Sequence, residues 1–184
     1  MDPITGKQAE QVLAEADLLL TEQQIEQAMK IMAQQINSAL AGTDPVILCV
    51  MNGGLIPAGM LLPQLDFVFK LDYLHATRYR EKTSGSSLNW LKYNEVSLKN
   101  KNVLIIDDIL DEGFTLEAIH DYCEQQGASR VFSAVLAEKK HDRSNGYQAD
   151  FVGVELEDRY VFGCGMDYKG YLRHLPGIYA VKGM

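Results

Sequence analysis

The 184 residues carry a formal net charge of −8, with 47% hydrophobic and 23% charged side chains. This is the composition of one globular domain, long enough to bury roughly two-thirds of the surface of its unfolded chain without disulfides or a structural metal. The negative balance argues against broad electrostatic binding to nucleic acid, and no apolar run reaches the length that spans a bilayer.

The opening MDPITGKQAEQVL lacks a basic segment followed by an apolar stretch, so the expected location is the cytoplasm, with no membrane partner. Cys49, Cys123 and Cys164 are odd in number, far apart and set in apolar surroundings, the pattern of small core residues. An acidic chain that handles an anionic ligand needs local help from backbone amides, a metal ion or a few placed cations.

No internal repeat, low-complexity tract or Pro-rich linker interrupts the chain, so residues 1–184 are expected to form a single domain. The first clear element is a helix. Thr21 is placed as its N-cap with Gln24 three residues on, and Ile25, Met29, Met32, Ile36 and Leu40 recur at helical spacing until Gly42. Residues 46–50, Val-Ile-Leu-Cys-Val, form an unbroken apolar run of the kind a strand buried on both faces shows. The turn Asn52-Gly53-Gly54 follows, then a predicted helix over 55–65 and a strand over 68–76. Residues 77–92, TRYREKTSGSSLNWLK, are polar and rich in Ser and Gly, and are expected to form a flexible arm. Beyond it the pattern predicts a strand over 103–106, a polar loop, a helix over 116–126 closed by Gly127, and strands over 131–136, 151–154 and 160–162. Strands alternating with helices predict an α/β fold with an open, mainly parallel central sheet flanked by helices, in which ligands sit beyond the carboxyl ends of the strands.

The stretch Val103-Leu104-Ile105-Ile106-Asp107-Asp108-Ile109-Leu110-Asp111-Glu112-Gly113-Phe114-Thr115-Leu116 couples a buried strand, adjacent acids, a glycine turn and a helix start. Gly113 can take a φ that other residues resist, and the amides at the start of the following helix can receive a phosphate. Side chains alternate along a strand, so Asp107 and Asp108 should not both face the core. They can accept from sugar hydroxyls or hold hydrated magnesium, and Asp111 is placed to accept a proton. N-capping alone needs one acid near the first turn and does not explain three.

This stretch resembles the phosphoribosyl-pyrophosphate motif of type I phosphoribosyltransferases: an apolar strand, two acids, two apolar residues, then Asp-Thr-Gly-x-Thr. From about Val46 to Arg173 the chain is similar to hypoxanthine-guanine phosphoribosyltransferases. The resemblance implies their fold, with a small hood, here residues 155–184, and an active-site arm. It also implies purine salvage, in which phosphoribosyl pyrophosphate and a 6-oxopurine base give a nucleoside monophosphate with Mg2+, in a homodimer or homotetramer. Asp107 and Asp108 would engage the ribose, Asp111 would be the base for purine N7, and Asp111, Glu112, Gly113, Phe114 and Thr115 would hold the 5′-phosphate. Met51-Asn52-Gly53-Gly54 matches the pyrophosphate loop, commonly Leu-Lys-Gly-Gly with a non-proline cis peptide, so Asn52 and Gly53 would bind pyrophosphate together with Arg173. Lys139 most nearly aligns with the donor to the 6-oxo group, Tyr160 with the aromatic that stacks on the purine, and Val161 with the backbone contact to its edge. Asp167 aligns with the magnesium ligand, and Arg78-Tyr79 with the arm's Ser-Tyr pair. Glu112 replaces the usual Thr, which puts a carboxylate where phosphate binds, and Asn52 replaces Lys.

Two other readings keep parts of this pattern. Ile-Ile-Asp-Asp also resembles receiver domains, but those begin with that strand and here about a hundred residues precede it. A regulator of the same fold would bind phosphoribosyl pyrophosphate or nucleotide without catalysis. Such regulators often add a basic DNA-binding segment, and none is visible. His75, His120, His141 and His174 show no close pairing of the kind zinc favours, and neither a serine nucleophile elbow nor a Walker loop occurs.

Overall fold

Two helices begin with the same device. Thr21 caps α2 (Glu22–Leu40): its Oγ1 accepts from Gln24 N at 3.4 Å while its own N–H donates to Gln24 Oε1 at 2.9 Å. Thr5 and Gln8 repeat the box at the start of α1 (Gly6–Glu15), which the sequence reading passed over along with β1 (Asp17–Leu20). The molecule is described from a computed structural model, which covers residues 4–78 and 88–184.

After α2 the chain runs through β2 (Val46–Met51), α3 (Leu55–Leu61), a 3-10 turn (Leu62–Gln64), β3 (Lys70–Arg78), β4 (Leu88–Lys92), β5 (Asn102–Leu110), α4 (Phe114–Gln125), β6 (Arg130–Lys140), β7 (Phe151–Glu157), β8 (Val161–Phe162) and β9 (Ile178–Ala180). Six strands form one sheet in the order β4-β3-β2-β5-β6-β7, parallel except for the β3–β4 pair. The unbroken apolar runs have the predicted cause. Ile47, Cys49, Leu104 and Ile106 pack with Ile25, Met29 and Ile36 of α2, while Val46, Leu48, Val103 and Ile105 pack with Leu116, Ile119 and Cys123 of α4 on the other face. All three cysteines are free and buried, and burial pushes the Cys49 and Cys123 thiols up to about 12 and that of Cys164 up to about 11.

Several boundaries differ from expectation. Thr77 and Arg78 close β3 and residues 88–92 form β4, because His75, Ala76 and Thr77 find backbone partners in Lys92, Trp90 and Asn89, so the expected arm is framed by paired strands. Tyr79 lies outside the described residues. β6 runs on beyond residue 136, where the predicted strand ends, and takes in Lys139 and Lys140, which pair with Leu156 and Glu157. Residues 155–157 finish β7 in the main sheet, so the small sheet starts later than residue 155 and draws on the other chain end: its order is β1-β9-β8, all antiparallel. Tyr160 stands just ahead of β8, its carbonyl accepting from Val181 N at 2.9 Å.

Ile36 is fully buried where α2 meets the sheet. Ile36→Ala is therefore expected to lower unfolding stability by about 2–5 kcal/mol, read as a lower urea midpoint at unchanged slope.

Candidate active site

In the main sheet β2 is flanked by β3 on one side and β5 on the other, so the winding direction reverses between β2 and β5. That reversal opens a crevice at the carboxyl ends of these strands, where the two glycine-containing loops meet. A side chain is excluded at Gly53, whose added Cβ would lie 2.2 Å from Asp108 Oδ2, and at Gly54, where it would lie 2.5 Å from the Ile106 carbonyl oxygen. The Met51–Asn52 peptide is cis, as the resemblance implies. Asn52 itself is exposed at the turn.

The alternation along β5 breaks at the acid pair. Ile106 and Ile109, an odd number of residues apart, both pack toward α2, whereas Leu110 packs toward α4. The irregularity lets both acids line one cleft of about 270 Å³, together with Asp111 and Gly113, Phe114 and Thr115, instead of dividing between the two faces. The Asp108 N–H donates to Asp107 Oδ1 at 2.9 Å. Both carboxyls are buried, with 7% and 9% of the residue exposed. Burial, then the charge of Asp108, holds Asp107 well above the usual carboxylate range; burial also raises Asp108, partly offset by Asp107 and Arg173. Gly113 has φ 93° and caps α4, whose first turn ends on this cleft.

A second cleft, of about 320 Å³, shares Asp108, Ile109 and Asp111 with the first and is completed by Lys139, Tyr160, Val161, Met166, Asp167 and Lys169. Tyr160 meets Tyr168 edge to face at 5.5 Å, and Val161 is held by its pairing with Ala180. Arg173 ties the rim together: it donates to the Gly165 carbonyl at 2.5 Å, pairs with Asp167 Oδ1 at 2.6 Å and lies 3.8 Å from Asp108 Oδ2. Asp167 Oδ2 also accepts from Gly170 N at 2.7 Å. Asp111 stands where the clefts join, with Lys139 Nζ 3.3 Å from Oδ2 and His141 Nε2 2.6 Å from Oδ1.

The fold thus brings together Asp107, Asp108, Asp111, Glu112, Gly113, Phe114, Thr115, Lys139, Tyr160, Val161 and Asp167, with Gly53 and Arg173 packed against Asp108. The backbone of Arg78 falls in β3. His141 stands in the sequence only as one of four histidines without zinc-site spacing, and its contact with Asp111 is not foreseen there, because a lone histidine after two lysines carries no motif.

The family model for the phosphoribosyl transferase domain matches residues 15–169. The chain belongs to that family. It is 33% identical over 169 residues to a hypoxanthine-guanine phosphoribosyltransferase of Aquifex aeolicus, covering 90% of this chain and 94% of that protein. It is 29% identical over 166 residues to one of Bacillus subtilis, covering 90% and 92%. A solved hypoxanthine phosphoribosyltransferase from Staphylococcus aureus superposes with a TM-score of 0.87 at 27% identity, over 92% of this chain and 94% of that one. The architecture is accordingly the type I phosphoribosyltransferase fold, with its central, mainly parallel sheet.

For Asp107 the folded state binds its proton more tightly than the unfolded chain does, so this group makes stability fall as pH rises from the ordinary carboxylate range through its raised value. Asp107→Asn should unfold at a higher temperature than the parent at neutral pH, with the gain shrinking toward pH ~4. A variant less stable than the parent at pH 7 would show that the buried charge is fully compensated.

Proposed function

We propose that the chain is a hypoxanthine-guanine phosphoribosyltransferase of purine salvage, transferring the 5-phosphoribosyl group from phosphoribosyl pyrophosphate to hypoxanthine or guanine to give IMP or GMP and pyrophosphate. The observation that carries this reading is the pair of joined clefts with Asp111 on their border. One offers a helix start, a glycine turn and two acids, which suit a phosphorylated sugar. The other offers an aromatic ring, a buried strand edge and a lysine, which suit a planar base.

In this reading Asp107 and Asp108 orient the ribose hydroxyls, and the backbone from Asp111 to Thr115 binds the 5′-phosphate. Asn52, Gly53 and Arg173 face the pyrophosphate. Tyr160 stacks on the purine, Val161 meets its edge through backbone, and Lys139 donates to the 6-oxo group. Asp111 takes the proton from N7 as the base attacks the anomeric carbon. The expected arm, including Arg78 and Tyr79, closes over the site to exclude water. The donor set suits a hard cation: Asp167 lines the second cleft with carboxylate oxygens that keep lone pairs beyond Arg173 and Gly170, and among the described residues no thiol or imidazole lines either cleft. Asp167 and the donor's own oxygens would hold Mg2+, which supplies charge neutralisation for the pyrophosphate leaving group.

A cytoplasmic location fits the three free, buried thiols, and no described helix is long and apolar enough to cross a membrane. A homodimer or homotetramer fits an apolar cleft of about 460 Å³ beside α3 and β3, where Leu55, Leu71 and Tyr73 are exposed.

Asp111→Asn is expected to lower turnover with hypoxanthine by ~10²-fold or more, with a smaller change in KM for phosphoribosyl pyrophosphate; unchanged turnover would remove Asp111 from the mechanism. In a competition of hypoxanthine, guanine, xanthine and adenine at equal concentration, adenine should lose by ~10⁴-fold, because its amino group meets a donor at Lys139. All turnover should stop in excess chelator. Comparable use of adenine, or an unaltered base preference in Lys139→Ala, would sink the assignment of Lys139.

A further inference from the structure

We infer that His141 is a positioning residue for Asp111, holding one carboxylate oxygen through the reaction so that the proton is taken on the other. The inference rests on Asp111 acting as the base. His141 follows directly on β6, and its side chain is only 4% exposed. The Arg143 N–H donates to its Nδ1 at 3.1 Å, so Nδ1 presents a lone pair and in the neutral ring the proton sits on Nε2, aimed at Asp111 Oδ1 at 2.6 Å. Arg143 is itself anchored by a two-pronged pair to Asp158, at 2.7 and 2.8 Å, which fixes the turn supplying that N–H.

The two oxygens of Asp111 are therefore not equivalent. Oδ1 is engaged by a buried ring, whereas Oδ2 faces the cation of Lys139, with which it shares the base-side cleft. In the transfer the purine N7–H bond breaks, its electron pair stays on the purine, and the new O–H bond forms at Oδ2. Oδ1 then becomes the carbonyl oxygen of the acid and still accepts from Nε2–H, so the contact survives the step. His141 does not relay the proton onward, because its accepting lone pair is already engaged by Arg143.

The test measures kcat and KM for His141→Leu, His141→Gln and His141→Asn, each in the parent and in Asp111→Asn. His141→Leu should lower kcat roughly tenfold, the scale of one hydrogen bond to a charged group, with KM for phosphoribosyl pyrophosphate within about twofold of the parent. Gln places an amide nitrogen near the position of Nε2 and should recover most of the loss. Asn is too short to do so and should behave like Leu, which decides the matter if the Leu variant does not fold. In the Asp111→Asn background the same changes should cost nothing more, since both act through one group. A parental kcat in His141→Leu, equal losses for Gln and Asn, or a full further tenfold loss on top of Asp111→Asn would overturn the role of His141 alone. Full turnover in Asp111→Asn would remove the base itself, and the inference with it.

Discussion

A Cβ on Gly53 would lie 2.2 Å from Asp108 Oδ2, and one on Gly165 would lie 2.2 Å from the Gly53 carbonyl oxygen. Three chain segments, the turn after β2, the end of β5 and the loop after β8, therefore close on one another at a spot that admits no side chain from two of them. Asp108 is one of three residues, with Ile109 and Asp111, that line both clefts, so this contact helps fix where they join. Arg173, which reaches the Gly165 carbonyl and Asp167, also lies 3.8 Å from Asp108, and Val161, Ile178 and Ala180 of the small sheet pack into the same core as α2 and the main sheet. At this knot of Gly53, Asp108 and Gly165, backbone meets carboxylate with no slack.

The knot is kept at a cost to stability. Two adjacent carboxyls sit buried at the end of β5, raised by burial, and the Arg173 guanidinium, 3.8 Å from Asp108, is already committed to Asp167. An acidic chain can handle an anionic donor under these conditions because the help is local: the start of α4, the glycines at Gly53 and Gly113, and Lys139, Lys169 and Arg173 around the clefts.

Much of this was legible in the residues. The runs at 46–50 and 103–106 carry their own explanation, since a strand covered on both faces has no polar side to show. The Thr21–Gln24 box announced α2, and the identical Thr5–Gln8 box would have announced α1 had it been weighed the same way. Other features depend on partners remote in sequence. The strand β1 exists because β9, at the opposite end of the chain, supplies its hydrogen bonds, and four residues of Asp-Leu-Leu-Leu do not reveal that. Nor does alternation along β5 predict its own failure at Asp107 and Asp108, which brings both acids to one cleft. Lys139 falls outside the predicted strand over 131–136 because the partner that extends β6 past it, β7, is remote in sequence.

The loop after β6 makes the same point about support. His141 reaches Asp111, Arg143 locks onto Asp158, and the Asn145 N–H donates to the Glu112 carbonyl at 2.9 Å. The Asn145 side chain packs where a Cβ on Gly113 would fall and donates to Glu117 Oε2 at 2.6 Å, while its Oδ1 accepts from Tyr147 N at 3.0 Å. One short loop thus braces Asp111 and the turn at Glu112 and Gly113 together. Glu112 illustrates the consequence. A carboxylate where the family commonly carries a hydroxyl reads from sequence as a threat to phosphate binding, yet the backbone at this position is clamped by Asn145, and backbone geometry is what a phosphate cradle needs first. Motifs name the groups that touch a ligand. The groups that hold those still lie about thirty residues away in the chain, in a loop with no motif of its own, and become visible only when the strands that carry both are laid side by side.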